Sequence, residues 1–293
     1  MKEGFLIGGG LVTAGLMLEL SVGPVVWDAF SWPVNGIVLA FFLLFIATMY
    51  LLRRKVYAFH FIATNRAAIP ALVFAVALTV VMGLTRQTVN GVGLNNMLTF
   101  WPFVLIYVYV AVILGLVVCR QISNWAAAKF SFSAFRFSLL LHSGLFLAMT
   151  TATLGNADMQ RVKMITVVGE PEWRAFDQQG NIKEMPLAIE LKRFIMETYD
   201  DGSPRRFASD VQILTKSGKN IMTTVEVNKP VEVDGWNVYQ YGYDTQMGAQ
   251  SRTSILELVS DPWLPAVYAG VYLMLVGALC MFVAGRRASS NEQ

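Results

Sequence analysis

Six stretches of this chain are apolar for long enough to cross a lipid bilayer, and this constrains the fold more than any other feature. They are Phe5–Leu20, Val34–Leu52, Ile69–Leu84, Met97–Cys119, Phe137–Gly155 and Trp263–Ala284. A spanning helix needs about 20 such residues. Backbone polar groups in hydrocarbon must be satisfied within the segment, so each stretch is expected to be a helix. The first is the weakest, with Gly8, Gly9, Gly10 and Gly15 and an acid, Glu19. Only Lys2 precedes it as a basic residue and no A-x-A site follows, so it reads as a retained helix rather than a cleaved signal peptide. Pro70 is expected in the first turn of the third helix, where a missing N–H costs little. Trp27, Trp32 and Pro33 read as an interfacial loop, and Glu19 as structural.

The charges fix an expected orientation. The chain is 15% charged, against about a quarter in soluble domains. Residues 158–261 hold 16 acids and 12 bases, whereas the remainder holds 4 acids and 11 bases, so the net +3 comes from the apolar part. Those bases lie at the ends of apolar runs, which is a membrane pattern and not a nucleic-acid footprint. With the N-terminus inside, Lys2, Arg53, Arg54, Lys55, Arg66, Arg120, Lys129, Arg136, Arg286 and Arg287 all fall on the inner side, and Arg86 alone falls on short outer loops. Both termini are therefore expected to be cytoplasmic.

Residues 156–262 then face outward and read as an all-β, sandwich-like domain inserted before the last helix. MITVV, LAIELKRFIM, VQILT, MTTVEV, WNVYQYGY and SILELV are strand-like runs. Turns at Gln179-Gly180-Asn181, Asp201-Gly202-Ser203-Pro204, Ser217-Gly218-Lys219 and Asp234-Gly235 separate them. Asp234-Gly235 is a short-hairpin signal. Trp236, Tyr239, Tyr241 and Tyr243 are read as a core face. The expected organisation is a membrane domain 1–155 with five helices, the β domain 156–262, a helix 263–285 and a cytoplasmic tail 286–293 whose ASSNEQ end is read as disordered.

The chain has two histidines, and one of them, His142, lies in the inner half of the fifth apolar run. An ionisable side chain inside a membrane is costly and marks a functional-site hypothesis. A neutral imidazole can give Nε2 to haem iron while Nδ1–H finds an oxygen. The alternative is packing, with the imidazole hydrogen-bonded to a neighbouring helix. Gly144, Ser138 and Ser143 would let a helix or macrocycle approach closely. His60 follows the Arg53–Lys55 cluster and is a candidate for haem access or a plain interfacial residue. Arg136, two turns before His142, is a candidate haem-propionate contact or a simple inner-side anchor. Cys119 and Cys280 are far apart and form neither C-x-x-C nor C-x-x-C-H, so they read as packing residues and the chain is not itself a c-type cytochrome.

Three segments carry a family resemblance. LLLHSGLFLAMTTATLGNADMQRVKMITVVGEPEW resembles a histidine-bearing helix running into a first strand and a Gly-Glu turn, here Gly169-Glu170. NKPVEVDGWNVYQYGYD is similar to a strand pair of the form N-x-P-x-x-x-x-G-[YW]-x-[FV]-Y-Q, and LVSDPWLPAVYAGVYLMLVGALC to a "DP…VY-G…G" approach to the last helix. Over residues 137–284 the sequence thus resembles the ResB/CcsB family of System II cytochrome c biogenesis.

The resemblance implies a location in the bacterial cytoplasmic (inner) membrane and haem b as transported substrate. It implies a tryptophan-rich CcsA/ResC-like membrane partner and an apocytochrome c carrying C-x-x-C-H. It assigns His142 as a transmembrane haem ligand, with the second axial ligand on the partner. This chain has no W-G-x-x-W-x-W-D stretch, so thioether formation is expected on the partner and this chain is the non-thioether-forming subunit of a holocytochrome c synthase. It departs from the family in carrying four apolar runs before the histidine helix, against the usual two or three. Two other classes stay open at this point. One is a b-type haem subunit working with quinone, for which His60 and His142 would form the only pair. The other is a cofactor-free membrane scaffold or secretion factor whose β domain binds a partner by strand addition or surface patches.

Overall fold

The structure is a computed structural model that describes residues 1–88, 91–130, 137–201 and 203–290. Its helices are α1 (Lys2–Val22), α2 (Val34–Leu52), α3 (Tyr57–Ile62), α4 (Asn65–Leu84), α5 (Trp101–Ala127), α6 (Ser138–Gly155) and α7 (Leu264–Ser290). Its strands are β1 (Gln160–Val167), β2 (Pro171–Phe176), β3 (Ile182–Thr198), β4 (Pro204–Thr215), β5 (Asn220–Glu226), β6 (Val231–Val233), β7 (Trp236–Tyr243) and β8 (Thr253–Ser260). The chain divides into two compact units. One is Met1–Ala157 with the segment from Trp263 onward, and the other is Asp158–Pro262.

Among the described residues, six helices are long and apolar enough to cross a membrane: α1, α2, α4, α5, α6 and Leu264–Val283 of α7. The central one is α5. Its Tyr109 and Ile113 pack with Ala67 and Ala71 of α4 and Phe61 of α3. Its Val112 and Leu116 pack with Ile46 and Met49 of α2. The glycines of α1 explain why that run looked weak. A Cβ at Gly4, Gly8 or Gly15 would lie within 2.6 Å of an atom of α4 or α5, so α1 is thin where its neighbours come closest. Glu19 is structural, as expected: its Oε2 accepts from the Trp101 N–H at 3.2 Å and so caps the first residue of α5.

Two boundaries differ from the expectation. Helix α4 starts at Asn65 after an extended Thr64, so Pro70 lies in its second turn and not its first. Proline there leaves the Arg66 carbonyl without its usual helical donor. Gly4 of α1 covers that carbonyl so closely that a Cβ would stand 2.6 Å from its oxygen. Helix α5 starts at Trp101, later than Met97, and continues past Cys119 to Ala127. At 1.5 Å per residue this helix is about 40 Å long, more than the hydrocarbon thickness, so its last turns can be polar. Helix α7 likewise runs on to Ser290, beyond the end of the apolar run at Ala284. Cys119 and Cys280 are both free and half-buried.

Among the described residues, α6 and α7 share the most extensive helix–helix contact in this unit. A Cβ at Gly144 would stand 2.5 Å from the Gly270 carbonyl oxygen and 2.6 Å from the Met274 nitrogen. At Gly270 it would meet the Ala148 nitrogen at 2.6 Å, and at Gly277 the Leu141 nitrogen at 2.7 Å. The two helices touch backbone to backbone, as small residues permit in lipid.

The second unit is one eight-stranded antiparallel sheet in the order β5-β4-β3-β2-β1-β8-β7-β6. The expected sandwich is therefore a single sheet that rolls over on itself. All eight strands send side chains to one core, including Met164, Ala175, Ile189, Val211, Val225, Val233, Val238 and Leu256. Ser209 of β4 meets Gln240 of β7 and Ser254 of β8 at 2.7 Å each, although β4 is not adjacent to either strand in the sheet. The Asp234-Gly235 hairpin forms as expected, with φ of 48° and 79° and Val233 opposite Trp236. Those two positive φ values are what a two-residue turn of this hand requires. The side chain of Asp234 also accepts from Ser217 and Lys219 of the β4–β5 turn at 2.6 Å each.

The aromatic face of β7 differs from the expectation. Trp236, Val238 and Gln240 point to the core, whereas Tyr241 is exposed on the opposite face beneath the Lys163 ammonium. A register shift between Gln240 and Gly242 then brings Tyr243 to stack on Phe194, with ring centroids 4.9 Å apart.

Candidate functional site

His142 lies one turn into α6, half-buried. Its Nδ1 is 2.6 Å from the Ser138 carbonyl oxygen, one turn back along the same helix. A carbonyl oxygen can only accept, so Nδ1 carries the proton. The neutral ring then has an unprotonated Nε2 with a free lone pair. From α5, the Gln121 amide reaches the same ring edge, with its nitrogen 3.2 Å from both the Ser138 hydroxyl oxygen and His142 Nδ1. Its oxygen is buried and has no hydrogen-bond partner among the described residues. The Ser138–His142 pair is local to α6, whereas Gln121 arrives through the packing of α5 on α6. That packing is fixed at the other end of the helix pair by the Tyr107 hydroxyl, which donates to the Met149 carbonyl at 3.0 Å. Asn35 of α2 adds a third tie, donating to the Leu154 carbonyl at 3.1 Å.

This donor set suits one kind of metal group. Among the described residues no three of His, Cys, Asp and Glu stand together as metal ligands. A bare ion held by one imidazole would be weakly bound. Iron inside a macrocycle already has its in-plane ligands and asks the protein only for an axial donor, so a lone imidazole with a free Nε2 fits it. The carbonyl on Nδ1 is the usual supporting contact for a ligating histidine.

The remaining candidates are not gathered there. His60 is exposed on α3, and among the described residues no hydrogen bond links it to His142. Arg136 lies outside the described residues. Sequence reasoning passed over Gln121 because the fourth apolar run ends at Cys119; the helix continues to Ala127, and nothing in the sequence pairs Gln121 with His142.

A cleft of about 240 Å³ lies toward the other end of α5 and α6, lined by Trp27, Phe103, Tyr107, Ala152 and Thr153 among others. His142 does not line it. In the β unit, a shallow depression of about 280 Å³ lies beside Trp173, Met185 and Lys216. It adjoins the register shift between Glu172 and Arg174.

Comparison with known proteins agrees with the sequence motifs. Residues 119–256 match the model of the ResB-like family. Curated relatives include the "Cytochrome c biogenesis protein CcsB" of Prochlorococcus marinus strain NATL1A, 29% identical over 102 residues, which are 35% of this chain and 23% of that protein. The protein of the same name from Prochlorococcus marinus subsp. pastoris is 23% identical over 139 residues, covering 47% of this chain and 32% of the relative. That from Gloeobacter violaceus is 28% identical over 110 residues, covering 35% and 22%. The matched stretches thus span about a third or less of these relatives. A solved structure, "Cytochrome c Heme Lyase CcmF", aligns with 84% of this chain and 45% of its own at 15% identity. Its TM-score of 0.38 is too low to carry a fold argument. The match from Cys119 to Leu256 takes in the end of α5, the histidine helix and most of the rolled sheet, and over these residues the chain is similar to the ResB-like family.

Proposed function

We propose that this chain is a CcsB/ResB-like subunit of a membrane complex that exports haem and delivers it to apocytochrome c. The carrying observation is the His142 imidazole, whose Nδ1–H donates to the Ser138 carbonyl at 2.6 Å so that Nε2 is left to ligate iron. The family match over the same helix supports the reading, as do the curated relatives, which are named for cytochrome c biogenesis. In this reading haem b is the cargo and His142 supplies one axial ligand. A tryptophan-rich CcsA/ResC-like partner supplies the other and carries out thioether formation.

In this reading the chain lies in a bacterial inner membrane with both termini cytoplasmic and the β domain outside, an orientation that the distribution of basic residues supports. That domain, residues 156–262, then offers the docking surface for partner and apocytochrome. His142, near the start of α6, lies toward the cytoplasmic side, where haem is loaded. His60 follows the Arg53–Lys55 cluster on that same side and is positioned for haem access, and Arg136 is assigned to a propionate.

The test is co-expression of the full chain with its CcsA-like partner, purification of the complex and quantification of haem from its Soret band. The expected result is haem in the wild-type complex and its loss in His142→Ala. Unchanged haem content in His142→Ala overturns the assignment.

A further inference from the structure

We propose that Gln121 is the positioning residue for the His142 ligand: its amide oxygen, turned to Nδ1, joins the Ser138 carbonyl in holding the ring in its Nδ1–H form. The inference rests on the haem-ligand reading for its purpose but on separate observations for its geometry. With Nδ1 protonated, an amide N–H placed 3.2 Å away faces another donor. Among the described residues the amide oxygen meanwhile is buried without a partner, at a cost of about 1–3 kcal/mol. Turning the amide end for end removes both conflicts. The oxygen then accepts from Nδ1–H and from the Ser138 hydroxyl, each at the 3.2 Å now held by the nitrogen.

A second acceptor on Nδ1–H does what the Ser138 carbonyl cannot do alone. Ser138 and His142 belong to one helix, so their contact leaves the ring free to move with α6. Gln121 belongs to α5 and fixes the ring relative to the rest of the bundle. Two acceptors also draw the Nδ1 proton away more strongly, which makes Nε2 a better donor to iron and favours the oxidised metal. The amide NH₂ then occupies the buried place that has no partner among the described residues, a donor available to an acceptor brought from outside the chain.

The experiment compares Gln121→Leu and Gln121→Glu with wild type in the full complex, with His142→Ala alongside. The Leu change deletes the acceptor and the Glu change strengthens it at nearly constant size. Haem affinity is expected to fall about 10- to 100-fold in Gln121→Leu, the range typical for loss of a contact behind a ligating histidine. The midpoint potential should rise in Gln121→Leu and fall in Gln121→Glu, opposite shifts that a purely structural role would not produce. If His142→Ala loses haem while both Gln121 variants keep the wild-type potential and affinity, the positioning role is overturned and the ligand reading stands. If His142→Ala keeps its haem, the ligand reading fails, and the imidazole ¹⁵N spectrum of the full chain decides the Gln121 contact by itself. A His60→Gln background leaves one histidine to observe. A protonated Nδ1 resonance that shifts in Gln121→Leu supports the contact, and an identical spectrum in both overturns it.

Discussion

Replacing Gly144 by alanine tests the backbone contact between α6 and α7. The added Cβ would stand 2.5 Å from the Gly270 carbonyl oxygen and 2.6 Å from the Met274 nitrogen. Against ordinary van der Waals contact it falls short by about 0.9 Å, and the obstructing atoms are backbone, which cannot rotate aside. The two helices must part by a comparable distance. The expected cost is that of overpacking, about 1–3 kcal/mol.

Gly9 supplies the control. It sits on α1 with nothing within 4 Å of its would-be Cβ. There Gly→Ala should be neutral or stabilise by up to about 1 kcal/mol through backbone entropy. Gly270→Ala has the same defect from the opposite helix, 2.6 Å from the Ala148 nitrogen and 2.7 Å from the Gly144 oxygen. Once one substitution has parted the helices, the second meets relaxed space, so the double variant should cost clearly less than the sum of the singles. The assay is detergent-titrated unfolding of the full chain, followed by circular dichroism, on wild type, Gly9→Ala, both single variants and the double. Equal stability of Gly144→Ala and Gly9→Ala, or strict additivity in the double, would refute the close-contact argument.

Two further outcomes are expected in the β unit. Ser209→Ala removes a hydroxyl that bonds Gln240 and Ser254 inside the core, leaving a buried amide oxygen poorly satisfied. It should destabilise the unit by about 1–3 kcal/mol, read as faster hydrogen exchange across β4, β7 and β8; unchanged exchange would contradict the network. Acid should loosen the same unit. Hydrogen bonding from Thr224 and the Arg193 guanidinium hold the Asp210 carboxyl below its ordinary 3.8, and Arg206 with Lys229 hold Glu226 below 4.5. Carboxyls depressed in the folded state stabilise it above their unfolded values and lose that contribution as pH falls through the lower folded ones. Exchange protection in β4 and β5 should therefore hold from neutral pH down to about pH 4.5 and decline below it. A decline already complete at ~pH 6 would assign the acid sensitivity to other groups.

Hydropathy made the six long helices legible, because a run of about 20 apolar residues can satisfy its own backbone in lipid as a helix; the ends of α5 and α7 lie beyond the apolar runs and were not. Strand β7 was legible for a different reason: Asp234-Gly235 accepts the positive φ values that few other pairs tolerate. Strand β2 was missed because, of PEWRAF, only Ala175 is buried, so it carries no apolar alternation. Strand β6, at three residues, is too short to show a period. The β7 face was misread because Gln240 looks like a surface residue. It is buried because Ser209, Ser254 and the Gly242 carbonyl satisfy its amide, and the tyrosines take the other parity. At the candidate site, a lone ionisable group in an apolar run made His142 visible. Gln121 was invisible because it lies 21 residues away and is brought to the ring only by tertiary packing.

Helix α6 has two working faces, and their arrangement bears on how the imidazole is held. His142 and Gly144 are two residues apart, which on an α-helix separates them by about 200°. One face therefore looks toward α5 and Gln121 while the other is locked to α7 by backbone contact. A lock made of backbone has no side-chain rotamers to absorb error, so it fixes the depth and rotation of α6 tightly. A 3.2 Å contact on the opposite face depends on that rotation. A turn of α6 by even a fraction of a residue would carry the ring out of hydrogen-bond reach. The glycines that never touch His142 are thus part of what aims it, and the approach of α7 accounts for their presence beside a candidate metal ligand.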